Sequence, residues 1–227
     1  QVVGAAEGCR LGGEVGGDNL NRFSKEFRAD LILPTLERTF NVPRWLGAKL
    51  KHSIEPRASF RAVSGVDKFS SIIRFDEMEI LSNTSEVEYS LANRLWAKNR
   101  NGVVWDWMTL EVRQRRFFDQ SFGNAVVTGQ RNIFQTSSDL TGYAFIDQPR
   151  GYSPVISALR AQPRPGFGVE WRADYDPLRG KITNSSLSLD ARVSYYLFSI
   201  GHSNVACVPI GMVTGEVSNP CIDASST

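Results

Sequence analysis

The chain has 227 residues, a hydrophobic fraction of 41% and a formal net charge of +2 at pH 7. This near-neutral charge points to no particular partner, and the basic residues are interleaved with acids, which argues against nucleic-acid binding. The 19 glycines and 10 prolines disfavour helix interiors and favour strands separated by turns. No apolar run approaches the roughly 18 residues that a transmembrane helix needs.

The N-terminal residues show no basic segment followed by an apolar one, so the sequence contains no recognisable signal peptide. The last residues, 223–227, have no strand or helix pattern. We therefore expect the chain to be a piece of a larger protein.

Cysteine and histidine are scarce, with Cys9, Cys207, Cys221, His52 and His202 making up the whole set. They form no CxxC pair, so we expect no metal site. Cys207 and Cys221 flank a loop with proline and glycine, and either a disulfide or two isolated thiols fits this spacing. No nucleophile lies in a recognisable catalytic context, so we expect no enzyme, no catalytic residue and no cofactor.

Strict period-two alternation is the informative signal, because it indicates strands with two chemically different faces. It is longest from Ala48 to Val63, where the even positions are nearly all apolar and the odd positions are polar or charged. Pro56 lies inside this segment, where it removes a ladder hydrogen bond, and we interpret it as a bulge. The pattern recurs in Phe23–Leu33, Val87–Leu95, Met108–Val112, Phe167–Asp176 and Leu187–Leu197.

Strand and loop lengths favour a membrane barrel over a soluble sandwich. The 48–63 segment exceeds the usual 5–6 residues of a soluble strand and is long enough to cross a bilayer. Long connections at Ser64–Ser85 and Phe117–Tyr152 alternate with tight turns at Asn99–Gly102 and Pro163–Gly166. Short turns on one side and long loops on the other are typical of outer-membrane barrels.

The last long segment falls on the same side of the sheet as the other long connections only if the chain makes one further turn. If 182–198 formed a single strand, the last long segment would lie on the wrong side of the sheet. We therefore predict a tight turn near Asp190–Arg192. The predicted fold is all-β, an antiparallel transmembrane β-barrel of which the chain supplies about eight strands. Such a cut barrel leaves two open edges, so we expect the isolated chain not to form a stable barrel.

Four separated strings carry a family resemblance: KHSIEP from Lys51, FDE from Phe75, EYSLANRL from Glu88 and YDP from Tyr175. Together, and in this order, they resemble the motifs of the LPS-assembly protein family LptD, also called organic solvent tolerance protein. The resemblance covers about 49–202 and corresponds to the later part of that family's barrel. It divides the chain into an unplaced segment 1–21, a barrel segment 22–203 and a loop or unplaced tail 204–227.

The resemblance implies transport and assembly of lipopolysaccharide at the outer leaflet of the Gram-negative outer membrane. It implies an LptE-like lipoprotein plug inside the barrel and a periplasmic Lpt bridge that acts through an N-terminal domain absent from this chain. No covalent chemistry is implied. The family's disulfide cysteines cannot be assigned to Cys9, Cys207 or Cys221, because the surrounding residues do not match.

Basic residues on the polar side of the predicted strands are the candidate ligand-binding residues. If they face the lumen, they can make charge-assisted contacts with anionic lipid A and core phosphates. Interleaved acids would hold these cations in networks and keep the binding weak. The alternative is that they only solvate a lumen or pack against the plug. The candidates are Lys49, Lys51, Arg57, Arg61, Arg113, Arg115 and Arg172.

Other interpretations stay open at this point. The cluster Asp76, Glu77 and Glu79 fits a divalent-cation site, although a solvated loop is the simpler reading. A porin or another channel has the same two-faced strands, and a soluble all-β protein that binds lipid or carbohydrate is the more distant alternative.

Overall fold

The computed structural model describes residues 23–42, 49–66, 69, 81–128 and 149–205. The described ranges contain no α-helix, and so no helix there is long and apolar enough to cross a membrane. They form nine strands: β1 (Lys25–Ile32), β2 (Leu36–Asn41), β3 (Lys49–Ser64), β4 (Thr84–Lys98), β5 (Val104–Phe117), β6 (Val155–Arg164), β7 (Phe167–Asp176), β8 (Lys181–Val193) and β9 (Tyr196–Val205).

All nine strands belong to one antiparallel sheet in the order β1-β3-β4-β5-β6-β7-β8-β9, with β2 also paired to β3. The prediction of an all-β antiparallel fold is therefore confirmed. Because β1 and β2 lie one after the other along the same edge, the sheet is eight strands wide. Among the described strands no pairing joins β9 to β1 or β2, so this sheet is open rather than closed.

The edge formed by β1 and β2 is interrupted opposite Pro56. The pairing of β1 with β3 ends at Arg57, and that of β2 begins at Ile54, so the three residues 33–35 face two residues of β3. The edge strand thus carries one extra residue opposite β3, which is the defining feature of a β-bulge. The pairing of β3 with β4 runs through Pro56 without a shift. The predicted bulge thus lies in the neighbouring edge strand rather than in β3 itself.

The predicted turn between the last two strands exists, but it lies further along the chain. β8 continues to Val193, and Ser194 and Tyr195 form the turn, with Ser194 at a φ of 55°. The longer β8 pairs Ala191 with Phe198 and Val193 with Tyr196. A turn at 190–192 would have broken these apolar pairs, which explains the shift.

Successive connections lie at alternate ends of the sheet, and the two longest share one end. The connections 99–103, 165–166 and 194–195 lie at one end, here the short-turn end. The connections 65–83, 118–154 and 177–180 lie at the opposite end, here the long-loop end. This arrangement agrees with the order of connections that the sequence predicts.

Directly paired residues share a face, so the strand register assigns the side chains to two faces. The apolar face is extensively exposed, with Phe27 at 62% and Ile200 at 68% of full exposure. The opposite, polar face contains buried side chains such as Ser53 and Glu86. Residues of the apolar face include Phe60, Leu91, Leu110, Leu159, Trp171 and Leu187.

A small apolar core covers the long-loop end of the polar face. Phe117 ends β5, and its ring packs against Phe122 with centroids 4.9 Å apart. Pairing of Phe117 with Glu86 and of Ile156 with Arg113 places both apolar side chains on the polar face. The loop after β5 thus folds over one end of this face. The core consists of Val63, Val66, Phe69, Phe117, Phe122, Ala125, Val126 and Ile156.

Candidate functional site: the polar face of the sheet

The polar-face residues of β1, β3, β4 and β5, here the charged half, form a continuous ion-pair network. The Arg61 guanidinium lies 2.7 Å from Glu26 on β1 and 3.8 Å from Glu86 on β4. Arg115 on β5 lies 3.1 Å from the same Glu86 and also contacts Glu88. The buried Glu86 carboxylate therefore joins arginines from the strands on both sides of it.

A second set of ion pairs lies on the same face toward the short-turn end. Glu55 lies 3.4 Å from Arg57 in its own strand and 3.4 Å from Arg94 on β4. Arg113 pairs with Glu111 two residues away at 2.8 Å. Pairs between residues i and i+2 need no second strand, so they depend less on the register than the Glu86 network does.

The predicted ligand-binding residues all lie on the polar face, but they do not form one cluster. Six of the seven pair with a carboxylate: Lys51, Arg57, Arg61, Arg113, Arg115 and Arg172. Lys49 lies at the first position of β3, opposite Lys98, and no ion pair is found for it in the described ranges. The expected networks of acids and bases are present, whereas contact with a ligand stays a prediction.

The sequence analysis expected interleaved acids to hold these cations, but it did not identify which acids. Glu26, Glu55, Glu86 and Glu88 each hold one or more of the arginines named as candidates. The alternation of the sequence could have indicated them, because each acid falls at a position whose side chain lies on the same face as the basic residues of the adjacent predicted strand. Choosing a partner also requires the register, which alternation alone does not provide.

The polar-face residues of β6 to β9, here the open half, are smaller and, apart from Asp176 at the end of β7, less strongly paired. Arg160 lies 3.7 Å from Glu170, and both side chains are more than half exposed. Arg172 lies 3.6 Å from the buried Asp174. A cavity of about 620 Å³ lies over this half and extends to Arg94 and Glu111 of the charged half, and its lining also includes Ala158, Ser186, Ser188, Gly201 and Ser203.

Asp119 organises the loop that folds over the charged half. Its carboxylate accepts hydrogen bonds from the Ser121 hydroxyl at 2.7 Å and from the backbone N–H groups of Ser121 at 2.9 Å and Gly123 at 2.7 Å. Partial burial acts to raise the pKa of Asp119, but these hydrogen bonds outweigh burial and hold the pKa below its ordinary value. The loop is therefore held by an ionised carboxylate.

Several candidate groups cannot be placed in this geometry. Asp76, Glu77 and Glu79 lie outside the described residues, as do Cys9 and the proposed cysteine pair Cys207 and Cys221. Within the described ranges, no group of three or more His, Cys, Asp or Glu side chains is arranged to hold a metal ion.

Comparison with known proteins adds no assignment. No protein-family model matches the chain, and no curated protein shows significant similarity to it. Any function therefore has to be argued from the chain's own motifs and from the geometry of its polar face.

Proposed function

We propose that the chain is a strand segment of an LptD-like outer-membrane β-barrel that delivers lipopolysaccharide to the outer leaflet. The apolar face contacts lipid and the polar face lines a water-filled lumen. An LptE-like lipoprotein occupies that lumen, and a periplasmic Lpt bridge supplies the substrate through a domain outside this chain. As a translocon, the protein catalyses no covalent step.

The observation that carries this proposal is the distribution of exposure between the two faces. A soluble sheet covers its apolar face and exposes its polar one. Here the apolar Leu91 of β4 and Leu187 of β8 are 41% and 39% exposed, whereas the polar Ser53 and Glu86 are at most 5% exposed. Large exposed apolar patches mark membrane or interaction surfaces. A lipid-facing sheet of a barrel accounts for this inversion in the inner strands, while the edge strands β1, β2 and β9 are exposed on both faces.

The positions of the motifs support the same assignment. The KHSIEP string lies in β3 and the EYSLANRL string in β4, and these strands are neighbours. The two strings face each other in register, with His52 opposite Leu95 and Pro56 opposite Leu91. The YDP string ends β7 at the long-loop end. The FDE string lies outside the described residues.

The ion pairs suggest which of the candidate basic residues contact the cargo, the transported lipopolysaccharide. A lipopolysaccharide phosphate must compete with the carboxylate that already holds each arginine. Arg57 is 56% exposed and lies 3.4 Å from Glu55, so its guanidinium group is accessible, and Arg172 is 39% exposed and lies 3.6 Å from Asp174. Arg61 and Arg115 are only 21% and 11% exposed, and each is held by two carboxylates. We assign contact with the cargo to the first pair and a structural role to the second.

Photocrosslinking in the full-length protein, in cells that make lipopolysaccharide, tests this function. A photoreactive residue replaces Arg57 or Arg172 on the polar face, Arg61 in the Glu86 network or Arg113 in the second set of ion pairs, or Ala58 or Phe60 on the apolar face. We expect lipopolysaccharide adducts at Arg57 and Arg172 and none at the two apolar positions.

The pattern of adducts separates the alternatives. Adducts at neither face, with the protein still in the outer membrane, would refute lipopolysaccharide transport and favour a diffusive channel. The 620 Å³ cavity, lined by small polar and by charged side chains, is the observation that favours a channel. Recovery of the protein in the aqueous fraction without detergent would refute both membrane functions.

A further inference from the structure

The charged side chains on the apolar face are few, and all of them are basic. In the paired positions of the described strands, the register places every Asp and Glu on the polar face. A charge on a lipid-facing surface is costly unless it reaches the headgroups of the bilayer. These cations are therefore candidates for contacts with anionic headgroups. They are Lys25, Arg38, Arg116 and Arg164.

Arg116 lies between two aromatic rings near the long-loop end of β5. Its guanidinium carbon is 5.4 Å from the centre of the Phe118 ring and 5.9 Å from that of the Tyr152 ring, within the range of a cation–π attraction. Phe118 and Tyr152 are 55% and 44% exposed, and Arg116 is exposed as well. Among the described residues, no carboxylate forms an ion pair with Arg116. The rings thus orient the guanidinium group without neutralising its charge.

Backbone hydrogen bonds hold both rings beside Arg116. Tyr152 forms an isolated β-bridge with Arg116, and the Tyr152 carbonyl accepts a hydrogen bond from the buried Arg150 side chain at 2.5 Å. The Phe118 N–H donates to the Ser85 carbonyl at 2.8 Å. Because the rings are fixed through their own backbone, the pocket between them exists before any ligand binds.

The position of Arg116 along β5 fits the level of the headgroups. β5 has 14 residues. A tilted strand of this length rises roughly 30 Å along the bilayer normal, more than the ~25 Å of the apolar band of a barrel. Arg116 is the second-last residue of β5. It therefore lies where the apolar band ends, and exposed aromatic rings are typical of this boundary.

We propose that Arg116, Phe118 and Tyr152 form a site on the outer surface of the barrel for the phosphate of an anionic membrane lipid. A guanidinium group can donate two parallel hydrogen bonds to a phosphate, and the exposed rings can contact the lipid beside it. Arg57 and Arg172 lie on the opposite face, so this site binds a lipid of the surrounding bilayer rather than the cargo. The inference rests on the proposed function, because lipid reaches Arg116 only if the apolar face lies in the membrane.

Photocrosslinking of the full-length protein in vesicles tests the site. A photoreactive residue replaces Val87, which lies opposite Arg116 on the apolar face, or Leu187, which lies on the same face in β8. The vesicles contain phosphatidylcholine with a minor share of phosphatidylglycerol, and the ratio of the two adducts is compared with the vesicle composition. Arg116→Gln removes the charge, and Arg116→Lys keeps it without the two parallel hydrogen bonds. Arg38→Gln is the matched control, because Arg38 also lies over an aromatic ring on the same face.

We expect phosphatidylglycerol adducts at Val87 to be enriched at least about threefold over the vesicle composition, with no enrichment at Leu187. Arg116→Gln should abolish the enrichment, Arg116→Lys should reduce it, and Arg38→Gln should leave it unchanged. The comparison of the two positions uses the native Arg116 and stands even where a variant fails to fold.

Three results would overturn the site while leaving the lipid-facing sheet intact. They are adducts at Val87 that match the vesicle composition, enrichment that persists in Arg116→Gln, and enrichment that disappears when millimolar inorganic phosphate is added. The last result would assign the site to free phosphate. Absence of lipid adducts at both Val87 and Leu187 would contradict the proposed function itself, because neither position would then lie in the membrane.

Discussion

The two halves of the polar face use their charges differently. In the charged half, Glu86 is buried and joins arginines from two neighbouring strands. In the open half, Arg160 and Glu170 form a pair in which both side chains are more than 60% exposed. Desolvation makes charge pairs costly to break when buried, whereas solvent screens exposed pairs. The charged half is therefore built to hold strands together, and the open half is built to leave space.

This difference separates structural cations from cations that can exchange partners. An arginine held by two carboxylates, such as Arg61 or Arg115, has little capacity left for a passing anion. A half-exposed arginine with a long contact, such as Arg57, can release its carboxylate at small cost. The number of basic residues on a face is therefore a poor guide to its affinity for anions, and the pairing of each residue matters more.

Removal of the Glu86 carboxylate should have the largest effect. Glu86→Gln removes the buried carboxylate that Arg61 and Arg115 share, so that each arginine keeps only its second carboxylate, and we expect a loss of about 3–5 kcal/mol in the free energy of unfolding. Urea unfolding of the full-length protein in lipid vesicles measures this loss. A loss below about 1 kcal/mol would show that the ion pairs of the charged half contribute no more to stability than those of the open half.

Truncation of Phe122 should have the next largest effect, confined to the core over the charged half. Phe122→Ala removes a ring that is 3% exposed and packs on Phe117, and we expect a cost of about 3 kcal/mol. Amide exchange of Val126 and Phe117 should become faster, while exchange in β8 stays the same. A uniform rise in exchange across all strands would contradict a locally packed loop.

Acidification should weaken the loop after β5, which Asp119 organises, by a smaller amount than the truncation of Phe122. The folded-state pKa of Asp119 lies below its ordinary value of 3.8, so its contribution is complete above about pH 4 and disappears as the pH falls through the lowered folded-state pKa. Amide exchange at Ser121 and Gly123, corrected for intrinsic rates, measures the change. Asp119→Asn should remove this pH dependence. An identical profile in that variant would assign the effect to another group.

Neutralisation of Glu170 in the open half should have the smallest effect. Glu170→Gln removes the partner of Arg160 where both side chains are mostly exposed, and we expect a change within about 0.5 kcal/mol. This variant is the matched control for Glu86→Gln in the same unfolding assay. Equal losses in the two variants would remove the distinction between the halves.

The strands were predictable because their alternation is local. The pattern at 48–63 corresponds to β3, and the need for one more turn correctly split the last segment into β8 and β9. The short β2 was missed, since Leu36–Asn41 shows no long alternation and follows the break at 33–35. The barrel itself, which requires closure of the sheet, stays a proposal.

The partners of the charged side chains were not predictable in the same way. Arg150 and Asp176 are 26 residues apart in sequence, and Arg150 belongs to a segment without periodicity. Register shifts at 95–96, 161–164 and 174–175 change which side chains face each other across the sheet. The loop core around Phe122 depends on left-handed backbone at Phe122 and Asn124, which no alternation pattern indicates. The alternation of the sequence thus assigns a residue to one face of the sheet, but it does not determine which side chain lies next to it.

The orientation of the two faces relative to lipid is the central claim, and spin labels test it most directly. Single nitroxide labels at Phe60, Leu91 and Ile200 on the apolar face, and at Ser90 and Ser188 on the polar face, are placed in the full-length protein in vesicles. We predict high collision rates with oxygen at the first three positions and with a water-soluble nickel chelate at the other two. The opposite pattern, or low collision rates with both reagents on the apolar face, would contradict a lipid-facing sheet.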